Sequence, residues 1–238
     1  MLSFFLPQKC IHCDAPSGKH AKSDSDLKKY LCANCFRQFQ LMSQPSSTDI
    51  ENKQQLFSGF NTELVFYTPF PFIAEDITQS IIHHFKYADM PNLAVITGRE
   101  LTARLTKMEY DVIVPIPLHG TRLGERGYNQ SEKLAEGISS VLNIPIAKKH
   151  LVKRTRQTPS QTGLTLEERQ KNMEGAFALT DKGKEALREK RILLVDDVMT
   201  TGATMASATE ALIKAEPTKV GILAFTTVIG DTTSVKSI

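Results

Sequence analysis

No stretch of this 238-residue chain is apolar for long enough to cross a bilayer, which excludes a helical membrane anchor. The segment from Met1 to Lys9 turns polar too soon for a secretory signal, so a cytoplasmic protein is expected. Cysteine is scarce: there are 4, all within the first 39 residues. In a reducing compartment they are not expected to pair as stable disulfides. Internal repeats and long low-complexity tracts are absent. So is the pattern G-x-x-x-x-G-K-[ST], which argues against a simple nucleotide triphosphatase. Neither sign of charge dominates. With 29 Lys and Arg against 26 Asp and Glu, the net charge of +3 neither demands nor excludes a nucleic-acid partner.

Hydrophobic residues make up 41% of the chain and charged residues 23%, which suits a globular protein with a sizeable core. Three stretches differ in character. Residues 1–39 hold the cysteines. Residues 40–58, rich in Gln, Ser and Asn with Pro45, read as a linker. Residues 59–238 alternate apolar runs with helical periodicity. Strands are expected at Glu63–Thr68, Asp111–Ile116, Arg191–Val195 and Val220–Phe225. Helices are expected over 74–88, with Ile77, Ile81 and Phe85 on one face, and over 129–142, with Leu134, Ile138 and Leu142 inward. Leu101, Leu105 and Met108 mark another helical face, and 204–215 a further helix. The alternation implies an α/β fold, a parallel sheet flanked by helices. Ligands of such sheets bind where strands end, which singles out the loops after Ile116 and Val195.

Cys10-Ile-His-Cys13 and Cys32-Ala-Asn-Cys35 are two C-x-x-C knuckles separated by 18 residues, the spacing of a four-thiolate zinc site. Two intervening residues let each pair of sulfurs face one tetrahedral ion. Such a module has too little apolar mass for its own core, and the metal supplies much of its folding free energy. A structural Zn2+ held by Cys10, Cys13, Cys32 and Cys35 is therefore expected. His12 and His20 are expected to be exposed and uninvolved.

The most informative segment is Ile192-Leu-Leu-Val-Asp-Asp-Val-Met-Thr-Thr-Gly-Ala-Thr204. An apolar strand runs into two carboxylates, Asp196 and Asp197. A loop of small and hydroxylated residues then opens a helix. Such a loop turns backbone N–H groups toward one point at a helix N-terminus, which is a cradle for a phosphate. Thr200, Thr201 and Thr204 add hydroxyl donors, and the acids are suited to vicinal hydroxyls or a hydrated Mg2+. The second loop, Pro117 to Gln130, brings Arg122 and Arg126, with Gly120, Gly124 and Gly127 permitting close backbone approach.

V-D-D-V-M-T-T-G-A-T resembles the phosphoribosyl pyrophosphate (PRPP) binding motif of type I phosphoribosyltransferases. The resemblance implies that fold. It also implies that Asp196 and Asp197 contact the ribose hydroxyls, and that Thr200, Thr201, Gly202, Ala203 and Thr204 hold the 5′-phosphate. Purine-salvage members carry an Asp where this chain has Thr200, so a purine base acceptor is not implied. The string P-I-P-L-H-x-x-R-x-x-x-R-G-Y-N-Q-S, the segment His84-Phe-Lys-Tyr87, and Gln161 to Phe177 with Arg169 and Asn172 resemble the ComF family, as does the cysteine module. That family is linked to DNA uptake in natural transformation. The resemblance implies pyrophosphate contacts from Arg122 and Arg126 and from the loop at Leu118 and His119, and Mg2+ accompanying PRPP. For Lys86 it implies a phosphate role, while its place after an amphipathic helix equally suits a surface lysine. No catalytic cysteine domain precedes the fold, so the glutaminase activity of amidophosphoribosyltransferases is not expected.

Two functions are compatible with these residues. One is a phosphoribosyltransferase that passes ribosyl 5-phosphate to an acceptor and releases pyrophosphate. The other is a non-catalytic PRPP or nucleotide sensor that binds single-stranded DNA or competence partners such as helicase or recombination proteins. The basic run at 148–156, with Lys153, Arg154 and Arg156, suits a loop closing over the site or a contact with DNA backbone. No aromatic residue lies between 129 and 176, which weakens base stacking there.

Overall fold

The computed structural model describes residues 9–17, 25–105, 108–156 and 175–229. In chain order the elements are α1 (Ala33–Leu41), α2 (Ser47–Gln54), β1 (Glu63–Tyr67), β2 (Phe70–Phe72), α3 (Ile77–Tyr87) and α4 (Pro91–Thr102). There follow β3 (Val112–Pro115), α5 (Gly120–Arg126), α6 (Gln130–Leu142), β4 (Val152–Arg154), β5 (Phe177–Leu179), α7 (Asp181–Leu187), β6 (Arg191–Met199), α8 (Ala203–Leu212) and β7 (Lys219–Val228).

The main sheet is parallel, in the order β1-β7-β6-β3, with β2 continuing β1 along the same side of β7. Its central strands carry the apolar runs Ile192–Val195 and Val220–Phe225, buried on both faces, as parallel strands between helical layers require. The side-chain period of two divides the core cleanly. Ile113, Leu193, Val195, Leu223 and Phe225 face a cluster containing Ile81 and Phe85 of α3, Leu93 of α4, and Leu134 and Ile138 of α6. Val114, Ile192, Leu194, Ile222 and Ala224 face the opposite cluster with Met205, Ala208 and Leu212 of α8. β4 and β5 pair antiparallel as a separate two-stranded sheet.

Four differences from the expected elements have local causes. Residues 40–58, expected as a linker, carry α2 and a 3-10 turn ending at the buried Phe57. Ser46 and Asp49 form a reciprocal capping box that starts this helix despite its polar sequence. The arginine loop contains α5, capped by His119 and closed by Gly127 at φ 75°. α4 stops at Thr102, so Leu105 lies beyond it although it still packs on the core. β6 runs on to Met199, so Asp196 and Asp197 are strand residues rather than loop residues.

The cysteine module shares the main core. Cys10, Leu27, Leu31, Cys35, Phe36 and Phe39 belong to the same apolar cluster as Phe85 and Phe225. Phe39 stacks on Phe70 of β2 with ring centroids 4.5 Å apart. His12, expected to be uninvolved, is half-buried and bonds through Nδ1 to Ser80 Oγ of α3 at 3.0 Å. His20 lies outside the described residues, as do Met1 to Gln8 and the run from Gln157 to Glu174, with Arg169 and Asn172.

α4 and α6 approach backbone to backbone through Gly98 and Gly137. A Cβ on Gly137 would fall 2.0 Å from the Val95 carbonyl oxygen, and one on Gly98 2.2 Å from that of Leu134. Gly137→Ala is therefore expected to force the helices apart and destabilise the fold by about 1–3 kcal/mol, read as a lower urea midpoint at unchanged slope.

Candidate functional site

Because the strands are parallel, β3, β6 and β7 deliver their C-terminal ends to one edge of the sheet. At the end of β6 the chain turns through Thr200 and Thr201 into Gly202, the N-cap of α8, at φ 90° and ψ −10°. Only glycine takes this left-handed conformation without strain. The turn is closed by the Ala203 N–H, which donates to Thr201 Oγ1 at 3.4 Å, and the dipole of the helix that starts here favours an anion. Thr201, Gly202 and Ala203 are buried; Thr200 and Thr204 are half-exposed.

Asp196 and Asp197 are 7% and 4% exposed, adjacent to this turn. Their partners differ. Asp196 Oδ1 accepts from Ser131 Oγ at 2.7 Å and from the Asp197 backbone N–H at 2.9 Å. Lys86 Nζ lies 2.7 Å from Asp197 Oδ2, and both side chains are more than nine-tenths buried. This lysine, at the end of α3, is an interior ion-pair partner and not a surface residue. Burial pushes both carboxyls up. For Asp196 burial dominates, reinforced by the neighbouring charge of Asp197, and its pKa rises to about 7. For Asp197 the attraction of Lys86 outweighs burial and holds the carboxyl below its usual range. The pair is thus arranged as one carboxyl poised near neutrality beside one held ionised.

The segment Tyr128-Asn-Gln-Ser131 brackets this pair. The Tyr128 hydroxyl donates to the Phe85 carbonyl, next to Lys86. Asn129 Nδ2 donates to the Ile116 carbonyl at 2.9 Å, while its Oδ1 caps α6 by accepting from the Ser131 N–H at 3.0 Å. Ser131 then reaches Asp196. In the sequence these four residues stand out only as part of the resemblance to the ComF family. Their bonds join the ends of α3, β3 and β6, which are far apart in the chain.

Arg122 and Arg126 lie on α5, both half-exposed. The Arg126 guanidinium sits 5.3 Å from the centre of the Tyr87 ring, and its charge contributes to holding Asp197 ionised. His119 Nδ1 accepts from the Thr121 N–H at 3.4 Å as the cap of α5. Leu118 is half-buried beside it. Arg154 of β4, read from the sequence as one of a basic run, is the cation of that run drawn into the site. Its guanidinium lies 5.5 Å from the Phe177 ring centre, and it interacts electrostatically with Arg122 and Asp196. Lys153 and Arg156 stay exposed. The site thus has two charge zones: an acid pair at the end of β6, and arginines from the β3 loop and β4 facing it.

The four cysteine sulfurs form a second cluster, all within 4.8 Å of one another. Cys13 Sγ lies 3.7 Å from Cys32 Sγ and 3.5 Å from Cys35 Sγ. Bonds of about 2.3 Å to a tetrahedral Zn2+ require sulfur–sulfur edges of about 3.8 Å, so the donor set fits the ion. The Cys35 amide, in the first turn of α1, is the main cause that lowers the Cys32 thiol to about 7, toward the thiolate that ligates metal.

Comparisons with known proteins agree with this architecture. The family description "Phosphoribosyl transferase domain" matches residues 129–235. Competence protein F of Haemophilus influenzae is 38% identical over 231 residues, covering 90% of this chain and 94% of that protein. Competence protein ComFC of Bacillus subtilis is 26% identical over 58% of this chain and 55% of its own length. Among solved structures, the glutamine PRPP amidotransferase of B. subtilis, complexed with ADP and GMP, overlaps 61% of this chain and 30% of its own, with a TM-score of 0.39 and 16% identity. Among the described residues, no helix is long and apolar enough to cross a membrane. An N-terminal cysteine cluster, a type I phosphoribosyltransferase fold and a 38% identity that extends over nearly the whole of a competence protein together make this chain a member of the ComF family.

Proposed function

We propose that the edge formed by β3, β6 and the start of α8 binds PRPP, and that the chain is a phosphoribosyltransferase-like protein serving DNA uptake. The observation that carries this reading is the continuity of the buried acid pair with the glycine-capped turn at Gly202. A sugar 5-phosphate needs a diol acceptor and an anion cradle a few ångströms apart, and that junction supplies both. Asp196 and Asp197 take the ribose hydroxyls. Thr200, Thr201, Gly202, Ala203 and Thr204 take the 5-phosphate. Arg122 and Arg126, with Leu118 and His119 shaping the loop, take the pyrophosphate, and Arg154 adds positive charge from β4. Lys86 acts through Asp197, keeping it ionised.

Mg2+ would arrive with the pyrophosphate. One oxygen of each acid is already engaged inside the protein, which suits a diol acceptor better than a resident cation site. In the reaction the bond from ribose C1 to the pyrophosphate oxygen breaks, and pyrophosphate leaves with the electron pair. A nucleophilic acceptor then bonds to C1. The protein's part is orientation and the stabilisation of charge building on the leaving group. The relatives' names, competence protein F and ComFC, support a role in competence, and single-stranded DNA, helicase or recombination proteins are the partners we propose for it. Sensing of PRPP without turnover is the second reading. It is favoured by Thr200, which puts a hydroxyl where purine-salvage enzymes carry a carboxylate. Pyrophosphate release from PRPP on addition of candidate acceptors separates the two.

Three outcomes are expected. Asp197→Ala weakens PRPP binding at least tenfold by calorimetry; unchanged affinity removes the site assignment. Asp196→Asn also loses PRPP affinity but raises stability. The folded carboxyl ionises near 7 and the unfolded one near 3.8, so the folded state carries the extra proton between them and wild-type stability falls as pH rises across that window. Asn cannot ionise, so thermal melts should show a flattened slope from about pH 4 to 7 and a midpoint a few degrees higher at about pH 8. The opposite shift of Asp197 acts only below its ordinary value of 3.8 and leaves this window alone. Finally, the four thiolates hold one Zn2+. Elemental analysis should find it, and a strong chelator should lower the melting temperature of the whole chain, because Cys10 and Cys35 lie in the main core.

A further inference from the structure

The cradle read from the sequence contains no lysine, yet α2 brings one beside it. Lys53 is 7% exposed. Its Nζ donates to the Val228 carbonyl at 2.8 Å and to the Asp49 carbonyl at 3.1 Å, both neutral acceptors. The Asp49 carboxylate is turned away, with Oδ2 accepting from Ser46 N at 3.1 Å and Ser46 Oγ at 2.6 Å. Among the described residues, no carboxylate pairs with the ammonium. Burial lowers its pKa, with only the more distant charge of Asp49 opposing.

Its position is specific. Thr227 of β7 pairs with Met199 of β6, so Val228, whose carbonyl holds the ammonium, is level with Thr200 at the entry to the turn. The Lys53 backbone flanks the same turn. The space a Cβ would take on Gly202 is bounded by Leu56 Cδ1 at 3.4 Å, Lys53 Cβ at 3.6 Å and the Lys53 carbonyl oxygen at 3.7 Å. An ammonium has three protons, and two are used here.

We propose that Lys53 is the cationic partner of the phosphate group bound at Thr200–Thr204, so that ligand binding neutralises a charge the free fold keeps buried. The proposal rests on the phosphate-cradle reading above and adds to it a residue from outside the sheet domain's own loops. A buried cation without a counter-charge destabilises a fold, whereas a dianionic phosphate at a helix N-terminus gains from a cation held in low dielectric. The alternative role for Lys53 is mechanical: a donor that satisfies the last carbonyl of β7 and docks α2. A neutral donor would serve that purpose equally well.

Lys53→Gln keeps a donor and loses the charge; Lys53→Met keeps the length and loses both. With the full chain, PRPP plus Mg2+ and ribose 5-phosphate are the probes in calorimetry, and thermal melts are taken with and without each. The expected result is at least tenfold weaker binding of both probes by both variants, with the ligand-free melting temperature unchanged or raised. Wild-type affinity in Lys53→Gln overturns the proposal. So does a fall in ligand-free stability in both variants, or failure of both to fold, since either marks Lys53 as a strut. If Lys53→Met alone fails to fold, Lys53→Gln decides. If wild type binds neither probe, the PRPP reading itself falls and this proposal with it; binding by wild type and Lys53→Gln alike removes only the proposal.

Discussion

Two adjacent carboxylates buried at the end of a central strand are the constraint to which the rest of the site answers. Left alone, Asp196 and Asp197 would repel one another and suffer desolvation together. The fold divides the problem: Lys86 pairs with Asp197, and Ser131 and a backbone amide bond to Asp196. One acid is held charged while the other titrates near neutrality. An interior designed only for stability would have apolar residues here, as it does at Val195 one position earlier. Keeping acids in their place costs stability, the trade expected at functional sites.

Holding that pair requires three chain segments to meet, and the bracket from Tyr128 to Ser131 is how they do. Its bonds to the rest of the fold end on three separate segments: α3, Ile116 just after β3, and β6. Asn129 has two tasks, capping α6 with its oxygen and gripping β3 with its nitrogen. The start of α6 therefore cannot shift without moving the acids. The close packing of α6 on α4 through Gly98 and Gly137 anchors the same helix from its other side. Geometry at the site is thus linked to a helix contact that touches no ligand.

The strands and the turn after β6 were legible in the sequence because their signals are local. Continuous apolar runs mark β6 and β7, and T-T-G-A-T after two acids marks a turn into a helix. The burial of Lys86 was not legible, since its counter-charge lies on a strand far along the chain and an amphipathic helix end looks alike in either case. The pairing of β4 with β5 was missed for a similar reason: three-residue strands carry little periodicity. α5 was hidden by glycines at Gly120 and Gly124, which disfavour helix on intrinsic grounds but are tolerated beside a good cap at His119. Residues 40–58 read as a linker because they are polar, yet they carry a helix and a 3-10 turn. The capping box at Ser46 and Asp49 was present in the sequence, but only the buried Phe57 and Lys53 show that the helix it starts is packed.

That helix changes how the two clusters of the molecule relate. The chain leaves the cysteine cluster through α1, whose Phe39 stacks on Phe70 of β2, and then passes over to α2 and the 3-10 turn after it, where Lys53 and Leu56 border the turn at Gly202. One continuous segment thus runs from the thiolates to the anion turn, with apolar anchors at both ends. His12 in the first knuckle also bonds to Ser80 of α3, the helix that ends at Lys86. Two routes, one through α2 and one through α3, connect the cysteine cluster to opposite sides of the same site. Loss of the fold around the cysteines would therefore loosen the turn at Gly202 and the lysine paired with Asp197 together, making the cysteine module a structural part of the candidate site rather than an appendage to it.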